Sequence, residues 1–414
     1  MKIEILCVGN ELLSGKTLNT NAHYISASLL KKGYETNYIS TVSDDQKELL
    51  IGIKTAIKRS DVLIITGGLG PTLDDNTKKI VCDFLKIDLK YRDDIAKDIE
   101  KRFGQIASIE EQATVPKSGY IFQNEVGTAP GFAFIHASKA IILLPGVPKE
   151  LEDMFEKHAM IFIQKHFPIE EKVYQEIINI TLLEELKVDA ILRACQLPKN
   201  VILGIYPSHG IVQITITTKE KDRSDAVKTI NFVKNQIEKE LEDYIFIAKD
   251  GKIETAIHNI LDKRDETIAF AESCTGGELS SRITKIPGSS KYFLGSFITY
   301  SNKLKKDILK VSDKTLKEKG AVSIQTVKEM IKGVFDITDA TYAIAISGIA
   351  GPTGGSQEKP VGTICLAIAK RSEDIDAGIL HLPFTRSLII KAATNIAFGA
   401  LFRRIAHNLE YFEK

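Results

Sequence analysis

Short apolar runs alternating with amphipathic stretches organise the first 168 residues. Ile3–Val8, apolar except for Glu4, and the continuous apolar runs Val62–Ile65 and Ala140–Leu144 have strand length and the pattern of strands covered on both faces. Val62–Ile65 leads into the Gly-rich Thr66–Gly70 and a helical pattern from about Asp75. Ala140–Leu144 leads into Pro145-Gly-Val-Pro148 and a helical pattern over Lys149–Gln164. His23–Lys32 carries apolar residues at helical spacing, with Gly33 placed as a C-terminal stop. Strand, Gly-rich turn and helix in repetition predict a parallel sheet, with ligands held where the loops leave the strands' carboxyl ends.

The pattern changes after residue 168. Val173–Thr181 and Ile211–Thr218 alternate like half-exposed strands, and Glu184–Cys195 and Ser224–Leu241 read as helices, which together predict a small α+β segment over 169–250. Asp250-Gly251 marks a joint, and Lys252–Leu261 reads as a lead-in helix. A second α/β unit follows, with strands at Thr267–Ala271, Tyr342–Ile346, Val361–Ile368 and Ile379–Leu382 and a closing helix over Ser387–Asn408. The predicted class is α/β: two domains with mainly parallel sheets, 1–168 and 251–414, joined by the α+β segment 169–250.

Composition narrows the function classes. A length of 414 residues predicts two or three domains, and 43% hydrophobic with 26% charged residues is the balance of a folded, soluble chain. A formal net charge of +1 provides no field for nucleic acid or an anionic membrane, so neither is expected as a partner. The five cysteines are scattered and follow no C-x-x-C spacing, which excludes a zinc knuckle and fits a reducing cytoplasm. No apolar run reaches the length of a membrane span, and the first residues lack a signal peptide's apolar stretch.

Candidate chemistry concentrates in the last unit. Ala271-Glu-Ser-Cys-Thr-Gly-Gly277 places Ser273 at the end of a strand, before a Thr-Gly-Gly step that opens a helix. A serine hydroxyl needs a base, and with no Gly-x-Ser-x-Gly elbow and only His381 within the core of this unit (His258 and His407 lie at its edges), a lysine is the better candidate. Lys303, in Thr299-Tyr-Ser-Asn-Lys303, would serve if burial lowered its pKa, with Tyr300 one helical turn away on the same face. The N–H groups of Thr275, Gly276 and Gly277 could hold an oxyanion or a phosphate. Ser347-Gly348 and Gly351–Gly355 offer a second backbone-rich loop, and Arg386 could clamp a phosphate with two parallel bonds. Two other readings stay open: Ser273 as a helix N-cap, and Cys274 as the nucleophile.

AESCTGG, TYSNKLK and SGIAGPTGG, in this order and spacing, resemble the C-terminal domain of the CinA family over residues 252–410. The resemblance implies nicotinamide mononucleotide amidohydrolase activity in pyridine-nucleotide recycling. It makes Ser273 the nucleophile, Lys303 the base, Tyr300 its neighbour and Arg386 the substrate-binding arginine, and requires no cofactor. Ser347 stands where the family often has Thr. Phe384-Thr-Arg386 replaces a common Gly-Asp-Arg, and Ile390 replaces a basic residue one turn on, with Lys391 beside it.

In the first unit, Thr66-Gly-Gly-Leu-Gly-Pro-Thr-Leu-Asp-Asp-Asn-Thr77 is a Gly-rich strand-to-helix loop followed by paired carboxylates. Gly67, Gly68, Gly70 and Thr77 would accommodate a nucleotide phosphate, while Asp75 and Asp45 would hold a divalent metal such as Mg. Asp74-Asp75 also reads as acidic residues complementing a helix N-terminus. With Gly9–Gly15, Gly127–Gly131 and Pro145–Pro148, residues 1–168 resemble the family's molybdopterin-binding-like half, which implies metal-dependent ADP-ribose pyrophosphatase activity. Leu73 replaces the usual His before the Asp pair, and 169–250 matches the family's KH-like segment. The resemblance also implies a homodimer acting on small nucleotide substrates. The alternatives are a competence- or recombination-associated adaptor, or a molybdopterin-binding protein without hydrolase activity.

Overall fold

The computed structural model describes residues 1–72 and 75–412, so Leu73 and Asp74 lie outside the described residues. The chain forms two compact units, one of residues 1–174 with 218–227 and the other of 175–217 with 228–414. Most of the predicted α+β segment therefore belongs to the second unit.

The first unit begins with β1 (Ile3–Val8), β2 (Thr36–Val42) and β3 (Val62–Thr66), followed by a ribbon of β4 (Leu89–Tyr91) and β5 (Thr114–Pro116). β6 (Tyr120–Phe122), β7 (Gly131–His136) and β8 (Lys139–Leu144) complete a six-stranded sheet ordered β2-β1-β3-β8-β7-β6. Pairing is parallel from β2 to β8 and antiparallel from β8 to β6. The predicted apolar runs are the central strands β1, β3 and β8, buried on both faces as a parallel sheet requires. The helix expected over Lys149–Gln164 runs from Pro148 to His166 but contains a π-helical turn at Phe155–Ala159.

The strands of the α+β segment are β9 (Lys172–Thr181), β10 (Val201–Pro207), β11 (Ile211–Glu220) and β12 (Ile245–Phe246), in the order β10-β11-β9-β12. The helices Glu185–Ala194 and Arg223–Leu241 lie where the sequence places them.

β13 (Ile268–Glu272), β14 (Phe293–Ile298), β15 (Tyr342–Gly348), β16 (Thr363–Lys370) and β17 (Asp376–His381) form the last sheet, ordered β14-β13-β15-β16-β17. β14, β13 and β15 are parallel, while β16 and β17 pair antiparallel, so this sheet is only half parallel. Alternation along its three central strands divides large from small residues. Ile268, Phe270, Ile344, Ile346, Ile364, Leu366 and Ile368 face the helices Ile253–Leu261 and Arg386–His407. Ala269, Ala271, Ala343, Ala345, Cys365 and Ala367 face the helix Ile324–Ile337, which buries Val327, Met330, Ile331 and Val334 against them. Spacing of i, i+3, i+4 and i+7 gives that helix one apolar stripe, and the alanines let it approach closely.

Candidate active site

Ser273 follows β13 directly, and its backbone N–H donates to the Ile346 carbonyl of β15 at 3.0 Å. The sheet core thus fixes the residue at the carboxyl end of two parallel strands. The chain then turns through Gly276 and Gly277, with φ of 62° and 102°, into the helix Glu278–Thr284. Those angles fall in the left-handed region that glycine adopts without strain.

Ser273 is not a helix cap. Its neighbour Glu272 fills that role: the buried carboxylate accepts from the N–H groups of Gly277 at 3.0 Å, Leu279 at 3.1 Å and Ser280 at 3.0 Å. The Ser273 hydroxyl is free for other work, and it accepts a hydrogen bond from Lys305 Nζ at 2.9 Å.

Lys305, and not Lys303, is the lysine on the serine. Both sit on the six-residue helix Asn302–Asp307, capped by Ser301, whose hydroxyl accepts from Leu304 N–H. Two residues on a helix are about 200° apart, so one lysine must face away when the other faces in. Lys305 is 1% exposed; Lys303 is exposed. Lys305 also donates to the carbonyls of Thr299 at 2.7 Å and Tyr300 at 3.5 Å, and no carboxylate is among these partners. Burial without a counter-ion disfavours the ammonium form and lowers its pKa to about 8, within reach of general-base work near neutrality.

Cys274 is buried, and desolvation pushes its thiol up to about 12, so it is held as the unreactive thiol rather than as a nucleophile. The expected Tyr300–Lys303 helical face does not form, because Tyr300 precedes the helix cap. Its exposed ring instead turns its hydroxyl to Arg386, accepting from Nη2 at 3.1 Å. Arg386 opens the helix Arg386–His407 and donates through Nη1 to the Gly351 carbonyl at 2.8 Å. Tyr300, Arg386 and the Gly351 loop therefore make one cluster.

The predicted backbone cradle is partly spent. Gly277 N–H and the Thr275 hydroxyl are bound to Glu272, and Gly276 N–H donates to the Ser273 carbonyl at 3.1 Å. Among the described residues, no other residue accepts from the N–H groups of Cys274 and Thr275, the pair beside the nucleophile. Ser347 is buried with its hydroxyl donated to the Ala321 carbonyl at 2.8 Å, which makes it a support for the adjoining loop. Gly348 is required by packing: a Cβ there would stand 2.2 Å from Ile364 Cδ1 and 3.2 Å from Cys274 Sγ.

Lys305 and Glu272 are the residues that sequence reasoning missed. A signal for Lys305 existed: Leu309, four residues on, is buried like Lys305, whereas Lys303 and Asp307 mark the wet face. For Glu272, the signal is a lone carboxylate closing an otherwise apolar strand.

In the first unit, Gly67 and Gly68 take positive φ after β3. A Cβ at Gly67 would meet the Val8 carbonyl at 2.5 Å, and one at Gly68 would meet Thr77 Oγ1 at 2.2 Å. The glycines thus let the loop fold onto β1 and onto the start of the helix Thr77–Leu85, where Thr77 N–H donates to the Gly68 carbonyl at 3.0 Å. A cavity of about 90 Å³ lies at the carboxyl ends of β1 and β3, lined by Cys7, Glu11, Asn19, Asn21, Thr66 and Gly146 among others.

The carboxylates expected to hold a metal are otherwise engaged. Asp45 caps the helix Gln46–Arg59, accepting from Lys47 and Glu48 N–H. Asp75 accepts from the Thr72 N–H at 3.0 Å and hydroxyl at 2.6 Å, and it also packs against Gly70. No group of three or more His, Cys, Asp or Glu residues stands together among the described residues, so Asp45 and Asp75 do not by themselves fit a metal site. The described residues also contain no helix long and apolar enough to cross a membrane.

A molybdopterin-binding-like α/β unit ahead of a second α/β unit with a serine–lysine pair defines the class, and comparison with known proteins agrees. Residues 250–405 match the CinA C-terminal domain, and residues 4–165 match the family described as "Probable molybdopterin binding domain". A CinA-like protein of Endomicrobium trichonymphae is 35% identical over 99% of this chain and 100% of its own length. Another, of Thermosipho melanesiensis, is 38% identical over 89% of this chain and 90% of its own. The crystal structure of the protein CinA from Thermoplasma acidophilum covers 39% of this chain and 98% of its own at 36% identity, with a TM-score of 0.37. The chain belongs to the CinA family.

Proposed function

We propose that the second unit hydrolyses the carboxamide of nicotinamide mononucleotide, releasing ammonia and nicotinic acid mononucleotide. The observation that carries this reading is the buried Ser273–Lys305 pair, 2.9 Å apart, with two unclaimed N–H groups beside the serine. Neutral Lys305 takes the Ser273 hydroxyl proton as Oγ attacks the amide carbon. The developing oxyanion is received by the Cys274 and Thr275 N–H groups. The Lys305 ammonium then gives its proton to the departing nitrogen, which leaves as ammonia, and an ester remains on Ser273. Neutral again, Lys305 deprotonates a water that cleaves the ester and restores the serine. Arg386 and Tyr300 supply donors for the phosphate at the other end of the substrate.

The test is ammonia release by three variants. Ser273→Ala and Lys305→Ala should lose activity, while Lys303→Ala should stay within about threefold of wild type, as expected of a surface substitution. Loss in Lys303→Ala with activity kept in Lys305→Ala would reverse the assignment. An adaptor needs no buried lysine of lowered pKa on a serine, which favours the hydrolase reading over a competence-associated binding role.

For the first unit, we infer a nucleotide-phosphate site at the carboxyl ends of β1 and β3, supported by Gly67, Gly68 and the cavity beside Asn21 and Thr66. ADP-ribose pyrophosphatase activity is the corresponding reaction. AMP release from ADP-ribose with and without added metal checks it, and metal-independent silence would leave the unit a binding module. A homodimer is the proposed working state.

A further inference from the structure

Glu272 has no part in the reaction just described, yet it is the most heavily bonded side chain near the nucleophile. It is fully buried, and six donors converge on its carboxylate. Oε2 accepts from the Thr275 hydroxyl at 2.8 Å and from Gly277 and Leu279 N–H; Oε1 accepts from Ser280 N–H, the Ser280 hydroxyl at 2.8 Å and the Ser296 hydroxyl at 3.1 Å. A buried carboxylate is tolerated only when its lone pairs are filled in this way. The donors come from the turn after Ser273, the first turn of the helix Glu278–Thr284, and the neighbouring strand β14. One side chain therefore fixes the path of residues 275–280 relative to the sheet. It takes up the N–H groups of Gly277, Leu279 and Ser280, while those of Gly276 and Glu278 donate to the Ser273 and Thr275 carbonyls, which leaves the Cys274 and Thr275 N–H groups for an anion.

We propose that Glu272 is a positioning residue for the amide hydrolysis: by binding residues 275–280 it aims the Cys274 and Thr275 N–H groups at the acyl oxygen. This inference rests on the serine-hydrolase reading. Glu272→Gln keeps the shape but turns one oxygen into an NH2 group, which then opposes three donors. Glu272→Asp keeps the charge but is one methylene short of the same six groups. Neither change alters Ser273, Lys305 or the phosphate-binding arginine.

The readout is specific to the oxyanion. Nicotinamide mononucleotide and its thioamide analogue differ in the atom that the two N–H groups must stabilise, since sulfur accepts hydrogen bonds poorly. In Glu272→Gln, kcat for the amide should fall by about a hundredfold or more, with KM within about threefold, as when an oxyanion donor is removed. The amide-to-thioamide rate ratio should shrink by about tenfold, because the lost donors discriminated the two atoms. A folded variant with kcat within threefold of wild type overturns the proposal; so does a lower kcat with an unchanged ratio, which would mark a purely structural role. If the Gln variant fails to unfold cooperatively, the same ratio is read in Glu272→Asp, with the same criteria. Should the wild type release no ammonia, the amidase reading fails by itself. Fluorophosphonate labelling of Ser273 then decides the Glu272 inference without nucleotide recognition: slower labelling in the variant supports it, and equal labelling overturns it.

Discussion

The buried Lys305 ammonium should cost the protein stability, and by a worked amount. Burial lowers its pKa from 10.5 to about 8, and at about 1.4 kcal/mol per pH unit the folded state disfavours the charged form by roughly 3 kcal/mol. The sign follows from proton counting. Between pH 8 and 10.5 the unfolded chain keeps the proton that the folded chain has lost, so stability gains from this group as pH rises through that window. Below pH 8 both states hold the proton and the full cost is present. Lys305→Met removes the charge and preserves the length of the stem, at the expense of three bonds, to the Ser273 hydroxyl and the Thr299 and Tyr300 carbonyls, about 1 kcal/mol each. The two terms offset, so the variant should be about as stable as wild type near pH 7, while inactive. By pH 10.5 wild type should be the more stable, the difference having moved by roughly 3 kcal/mol in its favour. Urea unfolding of both proteins at several pH values measures it. A stability difference that stays flat between pH 8 and 10.5 would refute the depressed lysine, and with it the general-base assignment.

Arg386→Lys replaces a planar fork by a point charge, so KM for the mononucleotide should rise by about tenfold with kcat little changed. A fall in kcat alone would move Arg386 from phosphate binding to the chemical step. Gly348→Ala drives a Cβ into Ile364 and the Thr363 carbonyl, 2.2 and 2.9 Å away, and should cost about 1–3 kcal/mol in urea unfolding. An unchanged midpoint would show that β16 gives way easily there.

Much of the architecture was legible because buried parallel strands declare themselves. Tyr342–Ile346 is apolar without interruption and Ile3–Val8 is broken only by Glu4, since both of their faces are covered. The edge strands β2 and β14 escaped for the converse reason: Thr36–Val42 and Phe293–Ile298 are half exposed, and the latter contains Gly295 and Ser296. The nucleophile was readable from its strand-to-helix turn, but its base was not. Lys303 and Lys305 lie in one short polar helix, and only the position of the helix start at Asn302 decides which faces inward. That start is set by the Ser301 cap, a local hydrogen bond that no periodicity over six residues resolves. The same limit applies to the glycine cradle, whose donors looked equivalent until Glu272 was seen to occupy Gly277.

Trapping the covalent intermediate tests the central claim most directly. Wild-type protein mixed with nicotinamide mononucleotide, quenched in acid during turnover and mapped by peptide mass spectrometry, should carry the nicotinic acid mononucleotide acyl group on Ser273. Turnover with Ser273 unmodified at every time point, or an adduct on Cys274 instead, would contradict the Ser273–Lys305 mechanism.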